Sequence, residues 1–181
     1  MIISIGGAPG AGKSTIAKIL AERMGLPHYS MGTLRREVAK KRGMTIEEYN
    51  KLGETDPSTD REVDEYQKQL PEKDFIIDGR MSWHFIPSSF KVYLTVDERV
   101  GAERIFSALQ KSDERNEGES LTSADAVLAS NRKRIKSDKK RYAKYYGKDA
   151  YDTKNYDLVI DTTHTTPEGI TEKILKTAGA G

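Results

Sequence analysis

Cysteine is absent from the 181-residue chain. Its absence excludes disulfides, thiolate nucleophiles and cysteine-ligated zinc, and nothing points to an oxidising compartment. Histidine is scarce: His28, His84 and His164 stand apart without ligand spacing, so a dedicated transition-metal site is not expected. Neither sign of charge is in excess, with 30 basic and 28 acidic side chains, so overall charge does not mark a nucleic-acid binder. No apolar run approaches the roughly 18 residues of a membrane span. The first residues also lack the basic flank and cleavage signature of a signal peptide. The expectation is therefore a soluble, cytoplasmic protein with one core, since a chain of this size buries about 70% of its unfolded surface.

What is present is an alternation. Short apolar runs, Ile2 to Ile5, Phe75 to Ile77, Val92 to Val96 and Leu158 to Ile160, are separated by amphipathic stretches. That pattern predicts an α/β fold, a parallel sheet with helices on both faces. The first helix should carry Ile16, Ile19, Leu20 and Met24 on one face and stop near Gly25-Leu26-Pro27. Two polar segments interrupt the alternation, about 38–73, broken by Gly43 and by Asp56-Pro57, and about 110–140. They leave the core where elements that cover a substrate would have to sit. The core is then about 1–37, 74–109 and 141–181, and the tail from Lys176 to Gly181 is expected to fray.

Gly7-Ala8-Pro9-Gly10-Ala11-Gly12-Lys13-Ser14, followed by Thr15, satisfies G-x-x-x-x-G-K-S/T between an apolar strand and a helix. Glycines let backbone N–H groups turn onto phosphates, Lys13 can reach the β and γ phosphates, and the Ser14 hydroxyl can ligand Mg²⁺. The loop predicts a nucleoside-triphosphate site. A GTPase of the Ras type needs N-K-x-D, and the nearest string, Asn50 to Gly53, lacks the aspartate. A motor-type ATPase needs a longer chain. A small phosphoryl-transfer enzyme remains.

Three further strings suggest the second substrate. Phe75-Ile76-Ile77-Asp78-Gly79-Arg80 puts a carboxylate and a guanidinium at a sheet's C-terminal edge. There Asp78 can hold Mg²⁺ through water and Arg80 can grip a phosphate bidentately. Arg134, Asp138 and Arg141 are spaced to share one helix face. Ser30-Met31-Gly32-Thr33-Leu34-Arg35-Arg36 completes the set.

With the loop, these strings resemble the nucleoside monophosphate kinases, and most closely the short, archaeal-type cytidylate kinases. The S-x-G-x-x-x-R, D-G-R and R-x-x-x-D-x-x-R elements of that family match Ser30 to Arg36, Asp78 to Arg80 and Arg134 to Arg141. The resemblance implies a five-stranded parallel sheet of the P-loop NTPase fold, with a monophosphate-binding excursion over about 38–73 and a lid over about 110–140. It gives Arg36 the acceptor phosphate, Arg35 being a solvated neighbour or exchanging roles with it. It brings Arg134, Asp138 and Arg141 to the monophosphate and its sugar, with the arginines stabilising the transferring phosphoryl group. Asp60, Arg61, Asp64 and Gln67 become available for ribose or base, and Arg104 lies against the ATP adenine and phosphates. The implied partners are ATP, with Mg²⁺, and CMP or dCMP, AMP or UMP standing next as acceptors, and a monomer is expected.

One departure bears on the base: the longer bacterial cytidylate kinases follow D-G-R with an aspartate, where Met81 stands here. From other classes, a small-metabolite kinase of the shikimate or gluconate type could use the same loop. A nucleic-acid-associated ATPase of ribosome assembly would use the basic run Asn131 to Arg141 and the tyrosines Tyr142, Tyr145 and Tyr146.

Overall fold

The structure, a computed structural model, describes residues 1–71, 73–111 and 121–179. The strands are β1 (Ile2–Gly7), β2 (His28–Ser30), β3 (Phe75–Asp78), β4 (Phe90–Thr95) and β5 (Leu158–Asp161). The helices are α1 (Lys13–Met24), α2 (Met31–Lys41), α3 (Ile46–Gly53), α4 (Ser58–Lys68), α5 (Ser82–Phe85), α6 (Glu98–Leu109), α7 (Ala124–Tyr146) and α8 (Pro167–Ala178). The strands pair in parallel in the order β2-β3-β1-β4-β5, which puts β1 in the middle of the sheet.

Alternation along the strands explains why the apolar runs are continuous. Ile3, Ile5, Ile76, Val92 and Leu94 point to one face, where Ile16, Ala17 and Leu20 of α1 and Ile170 and Ile174 of α8 cover them. Phe75 and Ile77 point to the other, against Met31, Val63 and Ile86. The first helix buries Ala17 and Ala21 with Ile16 and Leu20, while Ile19 and Met24 are half-buried, and Gly25 ends it in the left-handed conformation.

The two polar segments join the rest of the chain within helices. Helix α2 runs through position 38, and α7 runs unbroken through position 140, so both expected boundaries fall inside helices. Residues 112–120 of the expected lid lie outside the described residues. Of the tail expected to fray, the part through Ala178 is helical, with Ile170, Ile174 and Ala178 on one face against the main core, and residues 180–181 lie outside the described residues.

Candidate active site

The glycine loop leaves the C-terminal end of β1. At Gly10, φ is +78°, and a Cβ there would lie 2.2 Å from the Gly101 carbonyl of α6, so only glycine fits. Gly12, φ +83°, caps α1 without a side-chain hydrogen bond, which leaves the N–H groups of the first turn to a ligand. The Lys13 ammonium donates to the Gly7 and Ala8 carbonyls at 3.0 and 2.8 Å and is held across the loop. Beside it, Asp78 ends β3 almost fully buried. Its Oδ2 accepts from Ser14 at 3.0 Å and Ser30 at 3.2 Å, and its Oδ1 lies 2.7 Å from His28 Nε2.

Two cavities meet at this point. The larger, about 490 Å³, runs from the loop residues Pro9 to Thr15 past Arg36 and Arg104 to Thr162 and Pro167. Arg104 pins its far wall, donating to Thr162 Oγ1 at 3.2 Å and to the Thr162 and Thr163 carbonyls at 2.8 and 3.2 Å. The smaller, about 50 Å³, is lined by Asp60, Val63, Asp64 and Gln67 of α4 and by Gly79 and Tyr142. Lys13, Gly32, Asp78, Arg80 and Arg134 line both. A cationic junction thus separates a nucleotide-sized cleft from a pocket whose opposite wall is acidic.

That opposite wall is built by hydrogen bonding. Ser82 donates to Gln67 Oε1 at 2.7 Å, Gln67 Nε2 lies 3.4 Å from Asp64 Oδ1, and the Tyr146 hydroxyl donates to Asp64 Oδ2. Burial pushes the Asp64 carboxyl up to about 7, against the lowering effect of the Tyr146 hydrogen bond. Below the pocket runs a chain of alternating charge: Arg35 pairs with Asp60 at 2.9 Å, Asp60 with Arg141, Arg141 with Asp138, and Asp138 with Arg80 at 2.5 Å. Burial would raise the Asp138 carboxyl, but Arg80, Arg141 and Arg134 outweigh it and hold it below the usual carboxylate range.

Comparison with known proteins adds the decisive finding: the sequence model of the cytidylate kinase-like family matches residues 2–164. The chain belongs to the cytidylate kinase-like family. As a member, it is a nucleoside monophosphate kinase. It is 37% identical to the cytidylate kinase of Archaeoglobus fulgidus over 179 residues, 97% of this chain and 93% of that one. It is 36% identical to the cytidylate kinase of Pyrococcus furiosus over 172 residues, 94% of this chain and 84% of that one. In fold it is similar to a shikimate kinase from Acinetobacter baumannii solved in complex with shikimate, with TM-score 0.61, 17% identity, and 99% and 93% of the two chains covered.

The expected site residues of the kinase divide between the cavity walls and the packing around them. Arg61 is exposed and lines neither cavity, because it projects from the outer face of α4 while Asp60, Val63, Asp64 and Gln67 take the inner one. The Arg141 side chain is fully buried between Asp60 and Asp138 and lines neither cavity. Asp60 reaches the smaller pocket with its carboxylate already shared by two arginines. Arg35 is no solvated neighbour: it is 6% exposed and binds Asn50 Oδ1 at 2.8 Å and the Thr59 carbonyl at 3.1 Å as well as Asp60. Arg36 lies on the larger cleft, where it donates to the Gly32 carbonyl at 2.8 Å.

Sequence reasoning missed His28, Tyr146 and Tyr151. His28 had a signal, since positions 28 and 30 of one strand share a side of the pleat and both reach Asp78. Tyr151 had none, because it arrives from the irregular segment after α7 to accept from Arg80 Nε at 3.0 Å.

Proposed function

We propose that the protein transfers the γ-phosphoryl group of ATP to CMP or dCMP, giving ADP and CDP or dCDP. The observation that carries the reading is the pair of cavities meeting at Lys13, Asp78, Arg80 and Arg134. The larger, with the glycine loop and the N-terminus of α1, suits the triphosphate, and Arg104 with the Thr162 segment suits its adenine end. The smaller takes the monophosphate, with its phosphate toward the junction and its base toward Asp64 and Gln67.

A monophosphate oxygen is already an anionic nucleophile, so the reaction needs no general base. The difficulty is to bring two anions in line and to spread the charge of the moving group over fixed donors. Lys13, Arg80 and Arg134 supply cationic donors at the junction, Arg36 adds one on the larger cleft, and Arg141 supports Arg80 through Asp138. Ser14 and Asp78 fit a magnesium ion: hard oxygen donors 3.0 Å apart on the triphosphate cleft, one of them a carboxylate that can act through water. Bound there, magnesium would neutralise charge on the donor phosphates.

CMP is the first acceptor because the relatives that match over almost the whole chain are named for it. An acidic and amide wall also suits a base that offers an exocyclic amino group more than one that offers only carbonyls. AMP and UMP stand behind it. The nucleic-acid reading loses its footing in the side chains that suggested it. Arg132, Lys139 and Lys140 pair with Glu98, Asp149 and Glu54, and Tyr142, Tyr145 and Tyr146 turn inward. A bisubstrate analogue, adenosine and cytidine joined through a phosphate chain, should compete with both ATP and CMP. Competition with ATP alone would break the reading.

A further inference from the structure

The site described above uses Arg80 but leaves open what keeps its guanidinium turned toward the junction. Arg80 ends the β3 loop, and its Nε lies 2.5 Å from Asp138 Oδ2 on α7. An arginine and a carboxylate left to themselves favour a two-pronged pair through the terminal nitrogens. Such a pair would draw those nitrogens away from an incoming phosphate.

Tyr151 stands in the way of that rotation. Helix α7 ends at Gly147, φ +64°, and the chain doubles back, with Lys148 N donating to the Tyr142 carbonyl at 3.3 Å and Tyr151 N to Asp149 Oδ1 at 2.8 Å. The turn packs the Tyr151 ring beside Met81, Trp83, Tyr142 and Ala150. From there its hydroxyl donates to Asp138 Oδ2 at 2.7 Å and accepts from Arg80 Nε at 3.0 Å. The other oxygen of Asp138 is taken by Arg141. Both Asp138 oxygens are therefore engaged, and Arg80 is held by its Nε edge alone. Among the described residues the hydrogen bond that Arg80 donates leaves from Nε and none leaves from its terminal nitrogens. Burial raises the Tyr151 phenol above its ordinary pKa, although Arg80 opposes this, so the hydroxyl keeps its proton and remains a donor.

We propose that the Tyr151 hydroxyl is a positioning group for phosphoryl transfer: bonded to both Arg80 Nε and Asp138 Oδ2 beside their direct contact, it fixes the guanidinium by one edge and leaves its terminal nitrogens to the transferring group. The inference rests on reading the junction of the two cavities as the transfer site. A neighbouring tyrosine supplies the comparison. The Tyr156 ring packs in the same cluster, but its hydroxyl donates to the Ala150 carbonyl at 3.0 Å and touches neither Arg80 nor Asp138.

The test is steady-state kinetics of Tyr151→Phe with ATP and CMP, alongside Tyr156→Phe, Arg80→Ala and the Arg80→Ala/Tyr151→Phe double variant, with a melting temperature for each. Phenylalanine keeps the ring packing, so the fold should survive. A hydrogen bond to a charged group lost only in the transition state should lower kcat roughly tenfold or more, with both KM values within about threefold. Tyr156→Phe should keep its kcat, and the second substitution should add nothing to Arg80→Ala. The proposal is overturned if Tyr151→Phe turns over within about twofold of the parent while Arg80→Ala is crippled. It is equally overturned if the two losses multiply in the double variant. Normal turnover by Arg80→Ala would instead remove the transfer-site reading, and this inference with it.

Discussion

Lys13 and Arg36 reach the larger cleft from different elements, the start of α1 and the middle of α2, and each brings a cation that the protein has already oriented. Losing one preorganised donor of this kind costs about 10² to 10³ in turnover. Lys13→Ala and Arg36→Ala should each fall by that much in an ADP-release assay, and a loss below about threefold for Arg36 would remove it from the reaction. Asp64 makes a prediction of another kind. Its folded pKa, about 7, stands above the ordinary 3.8, so between these values the folded chain holds a proton that the unfolded chain has given up. The resulting stabilisation is complete below about pH 4 and is lost as pH rises through 7, at about 1.4 kcal/mol per unit at most. Denaturant melts across that range should show the decline, and Asp64→Asn should flatten it; an unchanged slope in the variant would assign the effect to another group.

At the scale of elements, the sequence announced what is local and concealed what is assembled. The glycine loop was legible because strand, loop and helix are contiguous, and the Asp78-Gly79-Arg80 string because one strand end carries all three. The partners of Arg35 and Arg141 were not legible, since Asp60 lies 25 residues from one and 81 from the other. Both arginines read as exposed charge until α2, α4 and α7 pack together. Their burial means that α7 is tied to the excursion rather than resting over it. Arg141→Met should therefore strand the buried carboxylates of Asp60 and Asp138, at a cost of about 3–5 kcal/mol. For a chain of this length that is on the order of 10 °C in Tm by calorimetry. A shift under about 2 °C would show that the carboxylates find other partners.

Over the whole molecule, α7 is bonded along its C-terminal half to the excursion. Lys140 pairs with Glu54 at 2.6 Å, Tyr145 donates to the Gly53 carbonyl at 2.7 Å, and Tyr146 reaches Asp64. The smaller cavity, about 50 Å³, touches this seam at Asp64 and Tyr142 and is too small for a nucleoside monophosphate, so on the proposed reading the excursion and α7 part to admit one. The chain's lack of cysteine makes this directly testable. In Glu54→Cys/Lys140→Cys, a short thiol-bridging reagent should abolish turnover, while the unbridged variant stays active; full activity after bridging would show that entry needs no such opening. The base was the least legible feature, because Asp64 and Gln67 gain meaning only from Tyr146 and Ser82, which lie 82 and 15 residues away from them. The most direct measurement is coupled ADP release with ATP and Mg²⁺ against a panel of ribo- and deoxynucleoside monophosphates. CMP and dCMP should accelerate release far above the rate with ATP alone and above AMP and UMP, whereas a panel in which no monophosphate accelerates it would contradict the two-substrate site.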